Sequence, residues 1–260
     1  MDTYSPDLAF IVLAAGLGKR MKSNKAKVLH EVLGKPMVHH VLETATHFAD
    51  RNVYVIVGYQ SEVVQSSIDK NFDVHYVYQE KQLGTGHAVS CALPYLKSQI
   101  QQIVILCGDT PLISQSTIAL LIHTHRNLNN DLTVLAVNMD NPTGYGRILI
   151  KENQRIAGIV EEADATDAQR KIKIVNTGIY CVDRTFLSDA IGSLTNNNAQ
   201  QELYLTDIVE IGFQKNKAIT AVISEDSTEM MGVNSQEDLR IADRQMRLRL
   251  SKNLDFRNSP

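Results

Sequence analysis

A glycine-rich and basic segment follows the first apolar run of the sequence. Residues 13–37 read LAAGLGKRMKSNKAKVLHEVLGKPM, in which Gly16 and Gly18 precede the cations Arg20 and Lys27. Glycine lets the backbone approach a ligand closely, and N–H groups exposed there can bind phosphate oxygens. Arginine adds a forked donor of permanent charge, and lysine adds a point charge. The segment is therefore typical of a loop that binds phosphate, with a solvated basic loop as the alternative.

The segment fits neither of two common phosphate-binding motifs. A dinucleotide fingerprint, G-x-G-x-x-G, would need its third glycine at the position of Met21. A P-loop ending in the GK at positions 18 and 19 would need glycine in place of Leu13 and a hydroxyl in place of Arg20. A phosphate site in this segment is therefore of another kind.

A carboxylate follows a later apolar run. Asp109 lies in CGDTPL, directly after the predicted strand Ile103–Cys107. Carboxylate oxygens are the hard ligands that Mg²⁺ prefers, and the alternative is that Asp109 only caps the turn. We expect Cys107 to be a small buried strand residue rather than a nucleophile. The eight histidines show no spacing typical of a zinc site.

Apolar runs alternate with amphipathic segments through about the first 130 residues. A helix is expected to begin at Pro36, where apolar residues recur with helical period. The other predicted elements are the strands Phe10–Ala15, Val53–Val57, Val74–Tyr78 and Ile103–Cys107 and the helices Val63–Ile68 and Ala88–Leu96. This alternation predicts an α/β fold of right-handed βαβ units on a mostly parallel sheet. Because ligands bind outside the carboxyl ends of such strands, we expect the basic segment and Asp109 at one edge of the sheet.

The second half of the chain contains shorter strand candidates and two further helices. These are the strands Leu132–Val137, Arg147–Ile150, Ile156–Val160, Ile174–Cys181 and Ala218–Ile223 and helices near Leu203–Gln214 and Gln236–Leu250. No low-complexity linker or internal repeat divides the sequence. We therefore expect one domain over residues 1–235, then a C-terminal helix and tail over residues 236–260. For the last helix, docking by its apolar stripe is favoured over a basic binding arm.

Charge and composition exclude several classes of function. The net charge of −3 over 260 residues argues against general affinity for nucleic acid or an anionic membrane. The three cysteines form no CxxC pair or disulfide framework, which indicates a reducing cytosol. The first residues lack the regions of a signal peptide, and no apolar run is long enough to cross a bilayer. We therefore expect a cytoplasmic protein with no nucleic-acid or membrane partner.

An ordered series of motifs resembles the sugar-nucleotide pyrophosphorylases, a family of nucleotidyltransferases. After LAAGLGKRM and KVLHEVLGKPM come QEKQLGTGHA, GDTPL, DNPTGYGRI, GIVEEADAT, VNTGIY and LTNNNAQQELYLTD. The set is similar to the uridyltransferase half of the bifunctional N-acetylglucosamine-1-phosphate uridyltransferases, and it covers residue 8 to about residue 240. The resemblance implies a Rossmann-like nucleotidyltransferase fold, with a mostly parallel mixed sheet and helices on both faces.

The resemblance also implies substrates and site residues. The implied reaction joins UTP and N-acetylglucosamine-1-phosphate into UDP-N-acetylglucosamine and pyrophosphate, with Mg²⁺ as cofactor. Asp109 and Asn234 are the implied metal ligands, and Arg20 and Lys27 the implied catalytic cations. The implied nucleotide contacts are Leu13, Ala14, Ala15, Gly16, Gly18, Gln79, Gly84 and Thr85. The implied sugar contacts are Gly108, Gly146, Glu161, Asn176 and Thr206. Without the resemblance, Glu161 would be interpreted as part of a solvated turn.

The sequence departs from the family pattern in two places. Ala26 stands before the lysine of the first motif, where the family often has proline. The 260 residues contain none of the hexapeptide repeats of the left-handed β-helix that acetylates glucosamine-1-phosphate in the bifunctional relatives. We therefore expect no acetyl transfer by these residues, and a monomer or weak homo-oligomer.

Two other functions compete with this one. The first is another sugar-1-phosphate nucleotidyltransferase that uses dTTP, CTP or a different sugar phosphate. The second is a catalytically silent regulatory or scaffold subunit of the same fold. A silent member is expected to lose its phosphate-binding and metal-binding residues, whereas Arg20, Lys27, Asp109 and Asn234 are all present.

Overall fold

The computed structural model describes residues 5–151 and 155–257 of the chain. Its strands are β1 Leu8–Leu13, β2 Glu31–Val32, β3 Lys35–Pro36, β4 Val53–Val57, β5 His75–Tyr78, β6 Gln102–Cys107, β7 Leu132–Asn138, β8 Arg147–Ile150, β9 Ile156–Val160, β10 Ile174–Asp183 and β11 Ile219–Ser224. Its helices are α1 Met37–Ala49, α2 Ser61–Ile68, α3 Thr85–Ala92, α4 Gln115–Asn127, α5 Asp167–Arg170, α6 Arg184–Ile191, α7 Asp207–Gln214 and α8 Gln236–Arg257. Residues 1–4 of the predicted domain and 258–260 of the predicted tail lie outside this description.

One mixed sheet organises the described residues. Its main path runs β11-β7-β10-β6-β1-β4-β5, and β8 joins β10 to β9. Strands β6, β1, β4 and β5 are parallel, while β10 is antiparallel to both of its neighbours in the path. The carboxyl ends of β1, β4, β5 and β6 therefore meet at one edge, where a loop after each strand can reach a common ligand.

Apolar cores cover both faces of the sheet. Successive residues of β1 point to opposite faces, so Phe10 and Val12 pack with α1 and α4, and Ile11 packs with α3 and α6. Strand β1 is buried along its length, which explains its continuous apolar sequence LAFIVL. The predicted α/β class, with a mostly parallel mixed sheet and helices on both faces, is confirmed.

Most predicted strands lie within two residues of the observed bounds. Arg147–Ile150 and Ile156–Val160 agree at both ends, and the helix predicted from Pro36 begins at Met37. No helix within the described ranges is long and apolar enough to cross a bilayer.

Three helix predictions differ from the structure. The helix predicted near Leu203–Gln214 begins only at Asp207, because the backbone of Leu203 bonds instead to Leu83 and Gly86. The helix predicted over Ala88–Leu96 spans Thr85–Ala92 and ends in a 3₁₀ turn that contains Pro94. The last helix extends beyond Leu250 to Arg257. Helix α4 was not predicted, although Ser114 caps it and its apolar residues have helical spacing.

Candidate active site

A cleft of about 520 Å³ opens at the carboxyl edge of the parallel strands. Of the residues predicted for the site, those lining it are Leu13, Ala15, Gly16, Lys27, Gln79, Gly84, Thr85 and Asp109. Sequence reasoning missed seven further lining residues, Leu17, Lys19, Val28, Gln82, Ala88, Cys107 and Glu202. Ala14 is buried beside the cleft, because its side chain belongs to the core under β1. The cleft thus brings together residues from the loops that follow β1, β5 and β6, with Glu202 from the segment between α6 and α7.

The basic loop after β1 is fixed by two short turns. Gly18 has φ +61° and precedes the 3₁₀ turn Lys19–Met21, whose Met21 side chain is buried. A second 3₁₀ turn, Lys27–Leu29, buries its two apolar residues. Buried anchors in both turns leave the charged side chains between them at the surface. The loop therefore presents cations from a backbone that the core holds in place.

Gly16 and Gly18 have different roles in this loop, and alanine substitution at each position distinguishes these roles. A Cβ at Gly18 would lie 2.7 Å from the Lys27 Cβ, whereas a Cβ at Gly16 would have no atom within 4 Å. We expect Gly18→Ala to lower the free energy of unfolding by at least about 1–2 kcal/mol, because alanine is strained at positive φ. Gly16→Ala serves as the matched control and should unfold like the wild type. Equal denaturant midpoints for both variants would contradict this assignment.

Cations and oxygen ligands meet beside the cleft. The Lys27 Nζ donates to an Asp109 carboxylate oxygen, and it lies 2.6 Å from Asn234 Oδ1. The guanidinium of Arg20 donates to the same Oδ1 at 2.8 Å. Lys27 is mostly buried, whereas Arg20 is exposed and open to a ligand. Four of the predicted residues therefore form one cluster.

Hydrogen bonds fix the orientation of Asn234. Its Nδ2 donates to the Gly232 carbonyl oxygen at 3.0 Å, so Oδ1 is the atom that faces the cations. The backbone N–H of Val233 donates to the Asp109 carbonyl oxygen at 2.9 Å. Residues 232–234 are thereby joined to the end of β6.

Helix α8 holds this cluster from the other side. The Asp238 carboxylate accepts from the backbone N–H groups of Asn234 and Ser235, each at 2.9 Å. Gln236 donates to the Met21 carbonyl oxygen at 3.2 Å, and Asp243 accepts from the Leu33 N–H at 2.8 Å. The apolar stripe of α8 packs at the same place, with Leu239, Ala242 and Met246 against Val32, Met37 and Leu112. The helix thus joins the basic loop, the β2–β3 turn and Asn234.

The donor set of this cluster fits a hard cation. A carboxylate oxygen of Asp109 and the amide oxygen of Asn234 converge on one ammonium group, so both point at a single cation position. Mg²⁺ takes oxygen ligands, commonly one or two carboxylates from the protein and the rest from water and phosphate. No cluster of three or more His, Cys, Asp or Glu suited to a metal occurs in residues 5–151 and 155–257. The two oxygen donors, a carboxylate and an amide, suit Mg²⁺ better than zinc, which prefers nitrogen and sulfur ligands.

The thiol beside the cluster is not an activated nucleophile. Burial raises the pKa of Cys107 to about 12, and the negative charge of Asp109 adds to this effect. The thiol stays protonated at neutral pH, whereas nucleophilic cysteines need a lowered pKa. Cys107 is thus half-buried and lines the cleft instead of being fully buried, while its raised pKa agrees with the expectation that it is not a nucleophile.

Gln79, Gly84 and Thr85, three of the predicted nucleotide contacts, form the wall of the cleft that follows β5. Gly84 has φ +110°, and a Cβ there would lie 2.6 Å from the Leu203 carbonyl oxygen. Thr85 Oγ1 accepts from the Leu205 N–H at 3.0 Å. Only glycine fits position 84, because the segment around Leu203 lies directly against it. This wall therefore has a fixed backbone.

Four of the five predicted sugar contacts form a connected group. The Asn176 N–H donates to the Gly146 carbonyl oxygen at 2.8 Å, and Thr206 donates to Glu161 at 3.1 Å. A Cβ at Gly146 would lie 3.3 Å from the Glu161 carboxylate, so these residues are neighbours. Gly108 lies apart from them at the end of β6, where its N–H donates to the Leu13 carbonyl oxygen at 2.9 Å.

The neighbours Glu161 and Glu162 have opposite electrostatic environments. Burial raises the pKa of Glu161, although its bond from Thr206 acts against this. The Gly144 N–H and the buried Arg147 lower the pKa of Glu162, and Arg147 lies 2.6 Å from its carboxylate. Glu161 is thus a desolvated carboxylate that lines a second cavity, of about 790 Å³, rather than part of a solvated turn. Glu162 instead fastens the loop of residues 144–147.

These opposite shifts predict opposite effects on stability. The contribution of the Glu161 carboxyl to the free energy of unfolding is fully present below about pH 4.5, the ordinary pKa of this group. It is lost as the pH rises through the raised pKa that Glu161 has in the folded protein. The contribution of the Glu162 carboxylate to the free energy of unfolding is present above that pH. It is lost as the pH falls through the lowered pKa that Glu162 has in the folded protein. At pH 8 we expect Glu161→Gln to be more stable than the wild type and Glu162→Gln less stable. Urea unfolding at pH 8 and pH 4 tests this, and equal signs for the two variants would refute it.

Known proteins resemble this chain over nearly its whole length. The family described as Nucleotidyl transferase matches residues 9–231. The Bifunctional protein GlmU of Pelobacter propionicus is 44% identical over 248 residues, which cover 95% of this chain and 54% of that protein. The Bifunctional protein GlmU of Desulfotalea psychrophila is 39% identical over 245 residues, which cover 94% of this chain and 72% of that protein. The chain spans about half the length of the first of these relatives.

Solved structures share the fold at low sequence identity. A Bacillus anthracis protein crystallised with sucrose has a TM-score of 0.69 at 20% identity, covering 92% of this chain and 94% of that chain. HddC from Yersinia pseudotuberculosis has a TM-score of 0.63 at 19% identity, covering 92% and 99%. Together with the family match, these likenesses confirm the expected nucleotidyltransferase fold.

Proposed function

This chain belongs to the nucleotidyl transferase family, and we propose that it transfers a uridyl group from UTP to N-acetylglucosamine-1-phosphate. The products are UDP-N-acetylglucosamine and pyrophosphate. One observation carries the proposal, namely the cluster of Arg20, Lys27, Asp109 and Asn234 beside the glycine-rich loop. It supplies positive charge for phosphates and oxygen ligands for a divalent cation in one place, and its members Lys27 and Asp109 line the cleft.

The reaction needs no side-chain nucleophile. An oxygen of the sugar phosphate is already anionic at neutral pH, and it attacks the α-phosphorus of UTP. The new P–O bond forms as the bond from the α-phosphorus to the bridging oxygen of pyrophosphate breaks, and that oxygen leaves with the electron pair. Catalysis then consists of positioning two anions and stabilising the charge that develops.

The cluster meets these two demands. Arg20 is exposed and its fork suits two phosphate oxygens, so it can follow the charge that moves onto pyrophosphate. Lys27 supplies a point charge beside Asp109 and Asn234. Asp109 and Asn234 would hold Mg²⁺, which when bound neutralises phosphate charge and polarises phosphoryl oxygens.

Base and sugar are assigned to two groups of residues, the base to the cleft at Gln79 and the sugar to the cavity at Glu161. Gln79 and the backbone at Gly84 offer the hydrogen-bonding groups that the imide edge of uracil requires. Glu161, desolvated and beside Thr206, is suited to accept from sugar hydroxyls. Buried polar groups left without partners by a wrong base or sugar would make the site selective.

Pyrophosphate release tests the proposal directly. The intact chain is assayed with UTP, dTTP and CTP against a panel of sugar-1-phosphates, with and without Mg²⁺. We expect turnover with UTP and N-acetylglucosamine-1-phosphate that depends on Mg²⁺. Preference for another nucleotide or sugar would mean that the chain is a sugar-1-phosphate nucleotidyltransferase with different substrates. Absence of turnover with every pair would leave it as a silent member.

A further inference from the structure

The carboxamide of Gln79 is held by two acceptors, one of which is a histidine outside the proposed reaction. Gln79 lines the cleft and is only 3% exposed. Its Nε2 lies 3.2 Å from the Gly84 carbonyl oxygen and 3.1 Å from His87 Nδ1. Both distances are within hydrogen-bonding range. The orientation of this amide is therefore decided by Gly84 and His87.

The chemistry of these neighbours identifies the atoms. A carbonyl oxygen only accepts, so the Gln79 atom beside Gly84 must be the NH₂ group. The same NH₂ group faces Nδ1 of His87, and Nδ1 must then carry a lone pair. The imidazole is thus neutral, with its proton on Nε2. The Cys91 sulfur, 3.8 Å from Nε2, lies within reach of that proton as a weak acceptor.

This arrangement leaves one amide atom for a ligand. Both protons of the Gln79 NH₂ group are used, and Oε1 has no hydrogen-bond partner among the residues that the structure describes. An acceptor oxygen suits the N3–H of uracil. Cytosine presents a lone pair at the same ring position, so Oε1 and that lone pair would face each other without a proton.

We infer that His87 is a positioning residue for base selection, an inference that rests on the proposed uridyl transfer. If the Gln79 amide were flipped, so that Oε1 and Nε2 exchanged places, Oε1 would face both the Gly84 carbonyl oxygen and the lone pair on His87 Nδ1. The turned amide would also present NH₂ to the base, which suits cytosine. Without the Nδ1 acceptor only Gly84 opposes this turn. The neutral tautomer of His87 therefore excludes cytosine by holding one orientation of Gln79.

The fold holds His87 at this position. The residue lies in the first turn of α3, where the Gly86 N–H donates to the Leu203 carbonyl oxygen at 2.8 Å. The Ala88 N–H donates to the Gly84 carbonyl oxygen at 3.1 Å, so one carbonyl binds both the helix and the Gln79 side chain. The imidazole is thus carried by a backbone that is fixed on two sides.

The ratio of kcat/KM for UTP to that for CTP tests the inference in three variants. His87→Leu removes the acceptor, and we expect the ratio to fall by about tenfold or more, the value of one hydrogen bond at a buried site. His87→Asn can place its Oδ1 near the position of Nδ1, so it should restore most of the ratio. Cys91→Ala removes the weaker contact and should keep the ratio near that of the wild type. Thermal melting identifies variants that fail to fold.

A second measurement on the wild-type chain needs no substrate. Long-range ¹H–¹⁵N correlation reports the tautomer of each histidine, and the signal missing in His87→Asn assigns His87. We expect the Nε2–H tautomer, and an Nδ1–H tautomer would overturn the inference whatever the activity. An unchanged ratio in His87→Leu, or equal losses for both nucleotides in both His87 variants, would overturn it as well. A wild-type chain inactive with UTP would refute the proposed function, and the tautomer would still be measured.

Discussion

Replacing Arg20 with alanine is expected to lower kcat by about 10²–10³, the usual cost of losing one donor aimed at developing charge. The Arg20 guanidinium is exposed and bound only through Asn234 among the described residues, so its loss leaves the core intact. The charge that it meets grows as pyrophosphate leaves, and KM for the sugar phosphate should therefore change much less than kcat. Steady-state pyrophosphate release measures both constants.

The control for Arg20 lies on the same loop. Lys25→Ala removes the same charge, but the Lys25 ammonium bonds to Glu31 at 2.9 Å and not to the cluster. This variant should retain nearly full turnover. Equal losses in Arg20→Ala and Lys25→Ala would mean that the net charge of the loop matters and that the position of Arg20 does not. Near-wild-type turnover of Arg20→Ala would remove this side chain from the mechanism.

Replacing Asp109 with asparagine is expected to lower turnover by at least about 10²-fold, since the metal contribution is worth several kcal/mol. The change keeps the shape of the side chain and removes the charge that balances Lys27. Excess EDTA should abolish wild-type turnover, and Asp109→Asn should need far more Mg²⁺ to regain any. Titration of the rate against Mg²⁺ measures this requirement.

A surface aspartate provides the comparison for Asp109. Asp140→Asn removes an equal charge, and Asp140 pairs with Lys173 at the surface, away from the cluster. Its Mg²⁺ dependence should match that of the wild type. Full turnover of Asp109→Asn in EDTA would exclude Asp109 as a metal ligand.

Local patterns predicted the sheet because its strands are either buried on both faces or bounded by clear turns. VYVIV at Val53–Val57 is short, apolar and rich in β-branched residues, which favours a strand, and every residue of it is buried in the structure. The helix near Leu203 failed for the opposite reason. Its first residues have helical spacing, but the backbone of Leu203 bonds to Leu83 and Gly86, more than a hundred residues earlier. A local sequence pattern cannot predict a contact between residues so far apart in the chain.

The site residues also fall into those that local sequence signals predict and those that depend on contacts between distant parts of the chain. The basic loop and Asp109 were found from residue type and their place after strands, because these signals are local. Asn234 came only from the family resemblance, since it lies 207 residues from Lys27 along the chain. The burial of Arg147 in β8 was not predicted, because arginine is rarely buried unless it is paired. Its partner Glu162 lies just after β9, and the sequence does not show that the two side chains meet. The role of His87 depends on a neighbouring amide and has no sequence signature.

The contacts of α8 impose an order of events during synthesis. Ribosomes deliver the chain from its amino terminus, and domains fold as their parts emerge. The basic loop and Asp109 are therefore synthesised more than a hundred residues before Asn234, whose Oδ1 contacts Lys27, and before Asp243, which accepts from the Leu33 N–H. A nascent chain with its sheet already formed still lacks the oxygen ligand opposite Lys27. The proposed uridyl transfer is therefore expected only after residues 234–243 have left the exit tunnel and docked on the basic loop and β6.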